Sequence, residues 1–587
     1  MRPGPYRRLI GYFLRHRGTL GLGLLALVVG RLLLAWAPDL LRRGVNALQP
    51  GEPASAAAAS QAAWQFLGVA AAGATCVFVM RRLIVGASRE VEMEVKRDIF
   101  AHLERLPAAW FDRMRTGDLM SRLTSDVEAV RFALGPGLMY VGGTLVTFPA
   151  ALVFMGRASS TLMLAVLVPL LAILVFVKLL SPSILRRTRA VQDRTGDLSA
   201  RAQESFAGGR VVRAYATEQV EVDAFREASQ ALVAETLALA RVRAWMTAGL
   251  FVLGGAAELV VLVLGGRLAI EGTLSVGDLL AYLAWVSMLI WPMISVGWVV
   301  SALQRSAAAA ARIEEVLTAP PEQPVLGTPA PCPGRFAGRI TARGLSFTYP
   351  GSHAPALEDV SFDLPAGGTL ALVGPVGSGK STLLRLLARL YEPPPGTLSL
   401  DGVDVTRIPL PALRAAVAAV PQDAFLFSES IAANLAYGAR GTPSRARLEE
   451  AARMAGLERD LEALPQGLDT VVGERGVTLS GGQKQRVTLA RALLREAPVL
   501  LLDDALSAVD THTEEAVLER LGSVFGTRTT VVAAHRLSTV RHATHILVLD
   551  AGHVVEQGTH AQLLARGGWY ARTHAAQRAQ RALEDLA

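Results

Sequence analysis

Lys380 and Ser381 close the run Gly374-Pro375-Val376-Gly377-Ser378-Gly379-Lys380-Ser381-Thr382, and the glycine spacing decides what they can do. Glycines let successive backbone N–H groups turn inward around an oxyanion. A lysine placed directly after them reaches the same anion, and the Ser381 hydroxyl is a hard donor for Mg²⁺. The apolar run Thr369–Val373 precedes the loop and a helical pattern, Thr382–Leu390, follows it. Strand, glycine loop and helix together aim a positive helix end at the anion. This predicts a nucleoside triphosphate held by Gly374, Gly377, Ser378, Gly379, Lys380, Ser381 and Thr382, against the alternative of a chance glycine-rich turn.

More chemistry lies downstream. Val499-Leu500-Leu501-Leu502-Asp503-Asp504 reads as a buried strand beside the phosphate loop, ending in two carboxylates. Asp503 is placed to hold Mg²⁺ through its ligand shell, and Asp504 to act as general base on the attacking water. Gln422, after the apolar run Val417–Pro421, can touch both Mg²⁺ and that water. His535 follows a strand, Thr529–Ala534, and can contact the γ-phosphate. Tyr349, just before Pro350, offers a ring on which a base can stack.

Leu479-Ser480-Gly481-Gly482-Gln483 stands ahead of a helix, Lys484–Arg495, with no phosphate loop of its own nearby. Serine and glycines at a helix start bind anions. A γ-phosphate held in a partner's loop fits Ser480, Gly481, Gly482 and Gln483, which predicts two nucleotide domains facing head to tail with the triphosphate between them.

The elements that position these residues fall into two halves. Across 587 residues hydrophobic content is 51% and charged content 19%, too apolar for a soluble ATPase of this length. The apolar excess lies before about residue 310, at a mean hydropathy of +0.34 for the whole chain. The two cysteines, Cys76 and Cys332, have no partner at metal-ligand spacing and predict no structural disulfide. The first apolar run, Leu20–Ala37, is long enough to span a bilayer and no small-residue cleavage site follows it, so it reads as a span and not a leader.

Tyr6–Arg17 mixes apolar residues with arginines and reads as an amphipathic helix on the membrane surface. Six apolar segments follow, near 19–40, 62–80, 137–156, 161–180, 246–266 and 276–300. Each is near the ~20 residues that cross ~30 Å of hydrocarbon. The connections 81–136 and 181–245 carry ten Lys/Arg each, whereas the other three carry few. The positive-inside tendency therefore places both long connections and both termini in the cytoplasm of an inner-membrane protein. The net charge of +8 is mostly topological and requires no nucleic acid.

Both long connections read as helical extensions of spans two to five, rather than separate short helices. Short joining elements fall near Trp110–Thr116 and Ala207–Tyr215. Glu258, Arg31 and Lys178 lie within apolar segments. Glu258 either lines a cavity that favours cationic cargo or forms an ion pair with one of those bases. Trp285, Trp291 and Trp298 serve as interface anchors or packing, with a substrate-stacking wall as the alternative. The prolines of 318–335 make a stiff linker.

In combination these motifs resemble an ATP-binding cassette exporter of the half-transporter kind, over the whole length. Tyr349 matches the base-stacking loop, Gly374–Thr382 the Walker A loop, Gln422 the Q-loop and Gly473-Glu474-Arg475-Gly476 the exporter X-loop. Ser480–Gln483 matches the signature, Asp503 Walker B, Ser507–Asp510 the D-loop and His535 the switch histidine. Phe111-Asp112 with Thr116-Gly117-Asp118-Leu119 looks like the exporters' first intracellular loop.

The resemblance implies an α-helical six-span transmembrane domain fused to an α/β P-loop nucleotide-binding domain with a helical subdomain. The boundaries it suggests are 1–317, 318–335 for the linker, 336–572 for the nucleotide domain and 573–587 for a C-terminal helix. It implies ATP and Mg²⁺, a second half-transporter as partner, coupling helices near 110–116 and 207–215, and hydrophobic or amphipathic cargo.

One position departs from the family. Asp504 stands where a catalytic glutamate is usual, and a carboxylate one methylene shorter is drawn back by about 1.5 Å. A misplacement of that size can cost about 10²-fold in rate. The departure suggests the slow site of a heterodimer, with the intact signature completing a fast site on the partner. A tolerated variant, a homodimeric lipid flippase, and a nucleotide-gated channel or regulatory subunit are the competing expectations. The tail from Thr573 reads as a short helix, solvated or touching the partner's tail.

Overall fold

The computed structural model describes residues 6–48, 55–325, 329–473, 479–537 and 539–584. Of the X-loop match only Gly473 falls among them, and Glu474, Arg475 and Gly476 lie outside. The chain divides into two compact units, Met1–Arg105 with Met114–Pro320, and Leu106–Arg113 with Pro321–Ala587.

The first unit is built from helices α1 (Tyr6–Arg15), α2 (Arg17–Asn46), α3 (Ser55–Leu103), α5 (Thr116–Ser121), α6 (Val127–Leu134), α7 (Pro136–Ala158), α8 (Ser160–Ala207), α9 (Gly209–Ala214), α10 (Glu218–Val260), α11 (Gly266–Ile270) and α12 (Val276–Thr318). The remaining short helix, α4 (Ala108–Phe111), belongs to the second unit. Among the described residues six helical stretches are long and apolar enough to cross a membrane, as expected from the sequence. α3 and α8 run for 49 and 48 residues, so the basic connections continue the spans. At 1.5 Å per residue each is about 70 Å long, more than twice the hydrocarbon thickness of ~30 Å.

Local chemistry sets where these helices begin. Ser159 Oγ accepts from the Leu162 N–H, opening α8. α12 opens on a capping box, in which Ser275 Oγ accepts from the Asp278 N–H and Asp278 Oδ2 from the Ser275 N–H. The first joining element sits upstream of its expected place. Pro107, extended at φ −67° and ψ 152°, starts α4, and Thr116 already begins α5.

The intramembrane charges are not paired with one another: among the described residues no ion pair joins Glu258 to Arg31 or Lys178. The Arg31 guanidinium lies instead against α7, where a Cβ on Gly143 would come within 3.2 Å of its Nε. Trp285 is core, with its indole N–H donating to Ala35 O at 2.9 Å and its ring stacked on Phe154. Trp291 is 66% exposed, and the Trp298 side chain lies outside the described residues.

The second unit holds two sheets. β1 (Ile340–Phe347), β2 (Leu357–Leu364), β4 (Leu398–Leu400) and β5 (Val403–Asp404) form an antiparallel sheet in the order β2-β1-β4-β5. β3 (Thr369–Val373), β6 (Val417–Val420), β7 (Val499–Asp503), β8 (Thr529–Ala533), β9 (His545–Asp550) and β10 (His553–Gly558) form the other, in the order β10-β9-β3-β8-β7-β6. All its pairings are parallel except β9 with β10. Helices α13 (Lys380–Leu387), α14 (Leu410–Ala416), α15 (Ile431–Ala436), α16 (Arg445–Met454), α17 (Glu458–Ala463), α18 (Gly481–Leu494), α19 (Thr511–Leu521), α20 (His560–Arg566) and α21 (Trp569–Glu584) complete the unit.

β3, β7 and β8 are mostly apolar and buried along nearly their whole length because both faces of this sheet are covered. Alternate residues serve different cores: Leu370 and Leu372 pack with β1 and β2, while Ala371 and Val373 pack with residues of α15 and α18. One expectation shifts here. The strand ending in Asp503 is not the neighbour of the phosphate-loop strand, because β8 lies between them, with Ala533 opposite Leu372 on one side and Asp503 on the other.

Candidate functional site

The carboxyl ends of parallel strands leave a crevice where loops diverge, and such crevices bind ligands in open α/β sheets. Here β3, β7 and β8 lead to a cavity of about 340 Å³. Gly377, Ser378, Gly379, Lys380, Ser381 and Thr382 line one side. Tyr349, Gln422, Asp503, Asp504 and His535 line the rest, so most residues singled out in the sequence meet in one place.

Gly374 does not line the cavity but lets the loop pass tightly over β9. At φ +149° a Cβ there would come within 2.0 Å of Leu549 O. Gly379, at φ +103°, would clash in the same way with Ala356 O at 2.6 Å. Lys380 is buried inside the loop's arch, its Nζ donating to Gly374 O and Pro375 O at 2.9 Å each. Burial lowers the ammonium's pKa, opposed by the charges of Asp504 and Asp503. An anion entering the loop would meet a cation that is already desolvated.

Ser381 Oγ donates to Asp503 Oδ1 at 2.9 Å. Burial raises the Asp503 carboxyl, opposed by that hydrogen bond and by Arg385. A hydroxyl and a carboxylate this close supply the hard oxygens that an octahedral divalent cation takes, so the residues fit Mg²⁺. Asp504 follows in the left-handed region at φ +49°, its N–H donating to Ala533 O at 3.0 Å. Aspartate tolerates that conformation better than most residues.

On the base side, Tyr349 OH donates to Thr382 Oγ1 at 3.1 Å. Phe347 and Tyr391 meet the Tyr349 ring edge-on at 5.1 and 4.9 Å. Tyr391 OH in turn donates to Asp112 Oδ2, next to α4. Burial, and then that bond, push the Tyr391 phenol up to about 12.

Ser480–Gln483 does not line this cavity. Ser480 instead caps α18, with its Oγ accepting from the Gln483 N–H at 3.2 Å and Gln483 Oε1 accepting from the Ser480 N–H at 2.8 Å. Gly482 lets this helix start approach the segment after β7, since a Cβ there would lie 2.9 Å from Ala508 O.

Comparison with known proteins agrees with this geometry. Residues 20–293 match the family described as the ABC transporter transmembrane region, and residues 357–507 match the family described as ABC transporter. The chain is 36% identical to the multidrug resistance-like ATP-binding protein MdlA of Escherichia coli (strain K12), covering 86% of each chain. It is 40% identical to an ATP-dependent lipid A-core flippase of Aromatoleum aromaticum, covering 88% of this chain and 84% of that one. It superposes on a bacterial Atm1-family ABC exporter with ATP bound at a TM-score of 0.77 and 30% identity, covering 97% of this chain and 99% of the other.

The chain belongs to the ABC exporter family. It is a half-transporter, a multi-pass membrane protein whose nucleotide-binding domain is that of an ATP-driven transport ATPase. Several residues of this exporter were not found by reading motifs. Gln485 is buried and ties α18 to the segment after β7, its Nε2 donating to Ser507 Oγ and its Oε1 accepting from the Ala508 N–H, both at 2.9 Å. The available signal was a glutamine on the apolar face of a helix, which must find partners. Asp460 accepts from Gln483 Nε2 at 3.0 Å and from Arg486 at 2.6 Å, anchoring the signature helix to α17. Gln577 of α21 brackets the backbone at His535, donating to His535 O and accepting from the Leu537 N–H at 2.9 Å each. No spacing rule links residues 40 positions apart.

Proposed function

We propose that this chain is one half of a heterodimeric exporter that moves hydrophobic or amphipathic molecules across the inner membrane at the expense of ATP. Within the family it is similar to the B subunit of the heterodimeric exporter TmrAB. The observation that carries the pairing of two nucleotide domains is the split between the two phosphate-directed sites, and the inequality of the two halves rests on Asp504. Lys380, Ser381, Asp503, Asp504 and His535 share one cavity, while Ser480–Gln483 lies outside it. A site whose signature is elsewhere needs a second nucleotide domain to complete it.

In this reading Lys380 and the loop N–H groups hold the β- and γ-phosphates, and Tyr349 stacks on the base. Ser381, Asp503 and Gln422 hold Mg²⁺, which when bound neutralises phosphate charge. Asp504 and His535 face the attacking water and the γ-phosphate. The short carboxylate of Asp504 makes this site slow, and Ser480–Gln483 completes a faster site on the partner. Closure of the two nucleotide domains is passed through the coupling elements α4 and α9 to the spans, a ligand-biased shift between two states. Tyr391 supports the α4 route, because one residue touches both the base-side tyrosine and Asp112. Both termini and the nucleotide domain lie in the cytoplasm.

A second reading, a homodimeric lipid flippase, is favoured by relatives that are themselves named lipid A-core flippases. One experiment separates the two. The chain is purified alone and with whichever half-transporter copurifies, and phosphate release is measured for wild type and Asp504→Glu. The heterodimer reading expects little turnover alone, and a rise of up to about 10²-fold at this chain's own site with the longer carboxylate. Brisk hydrolysis by the lone wild-type chain would favour the flippase.

A further inference from the structure

A second cavity of the nucleotide unit, about 590 Å³, lies at the opposite end of α18 from Ser480. Its walls are the Pro333–Phe336 stretch, the last turn of α14, and the residues after α18 that lead into β7. Four arginines line it, Arg335, Arg440, Arg447 and Arg495, against a single acid, Glu496. Glu496 is taken by Arg447 at 2.5 Å, which leaves three guanidiniums without a carboxylate in the cavity.

Two of these are held in place by backbone. Arg440 Nη2 donates to Ala415 O at 3.0 Å, and Arg495 Nε to Arg414 O at 3.1 Å, both at the carboxyl end of α14. A guanidinium has five N–H donors, so each fork keeps donors to offer. Arg335 makes no hydrogen bond or ion pair among the described residues. Burial lowers the Arg495 guanidinium's pKa, and the nearby Arg440 charge pushes it the same way. Arg335, Arg440 and Arg447 are exposed and Arg495 is half-buried, and these like charges converge on a concavity floored by the buried side chains of Phe336 and Leu494. The volume falls in the range of small-molecule sites, about 300–1,000 Å³.

We propose that this cavity binds a soluble polyphosphate anion, either a nucleoside polyphosphate or free polyphosphate, through Arg335, Arg440, Arg447 and Arg495. Arginine forks match phosphate oxygens two at a time, and several of them together favour a multiply charged anion over a single carboxylate. The site is separate from the phosphate loop and regulatory in placement. Its ligand ties the chain entering the nucleotide domain to the segment feeding β7, the strand that ends in Asp503.

The test uses the full-length chain assembled with its partner half, with Lys380→Ala to weaken its own phosphate loop. Equilibrium dialysis measures bound radiolabelled inorganic tripolyphosphate, comparing Lys380→Ala with Lys380→Ala/Arg335→Glu. Arg335 has no described partner to lose, so this variant should fold. The expected result is about one extra tripolyphosphate per chain in Lys380→Ala, bound about tenfold or more weaker after Arg335→Glu, the loss of one charge-assisted contact. In a second arm unlabelled ATP competes for the Arg335-dependent binding where the natural ligand is a nucleotide, and its failure to compete assigns the site to free polyphosphate. Binding that is the same in Lys380→Ala, Lys380→Ala/Arg335→Glu and Lys380→Ala/Arg335→Glu/Arg447→Ala overturns the proposal, as does the absence of saturable binding.

Discussion

Two helix starts in the nucleotide unit face phosphate chemistry in different ways. α13 begins at Gly379, left-handed and without a side-chain cap, and its first residue is the buried Lys380. Its first residues, Lys380, Ser381 and Thr382, border a cavity that Asp503, Asp504 and His535 also line. α18 begins at Ser480 inside a closed capping box, with Gln483 further fixed by Asp460. Both ends carry the positive pole of a helix. In the proposed function the first takes its anion within one chain. The second is made rigid and left exposed, which suits a surface that meets its anion on another molecule.

The comparison can be broken at its stronger end first. Lys380→Ala should cut phosphate release at this chain's own site by about 10²–10³-fold, the usual cost of removing one preorganised donor to developing charge. Measurement in an assembly whose partner site has been silenced isolates the effect. At the other end, Ser480→Ala should lower turnover of the assembled exporter about tenfold or more, while its loss of capping costs about 1 kcal/mol of stability. A melting-point shift with unchanged turnover would reduce Ser480 to a cap and remove the contrast.

The tie behind the signature comes next. Gln485→Leu leaves the Ala508 N–H without its partner and should cost about 1–3 kcal/mol, read from denaturant unfolding of the nucleotide unit in the full chain. Turnover should fall with it, because the α18 start is then no longer held against the segment after Asp504. The smallest effect is expected at Gln577→Ala. Loss of its two backbone hydrogen bonds at His535 and Leu537 should cost about 0.5–1.5 kcal/mol per bond, with a modest fall in turnover.

Much of this was legible in the linear chain, for identifiable reasons. The phosphate loop is one contiguous stretch, so its spacing carries its geometry. The six spans are long apolar runs whose period needs no tertiary information. Asp503 and His535 could be placed because each ends an apolar strand, and the strand directs the side chain after it. The X-loop beyond Gly473 was readable only as a motif.

What the sequence determined by itself was local: which segments are long and apolar enough to cross a bilayer, where a glycine loop stands between a strand and a helix, and which serine opens a helix. The fold alone decided that β8 runs between the loop strand and the Asp503 strand. It alone decided that Gln577 holds His535 in place, that Glu258 has no ion pair with Arg31 or Lys178 among the described residues, and that four arginines scattered between positions 335 and 495 share one hollow. Such contacts depend on how strands and helices pack, and packing joins residues whose separation along the chain carries no period.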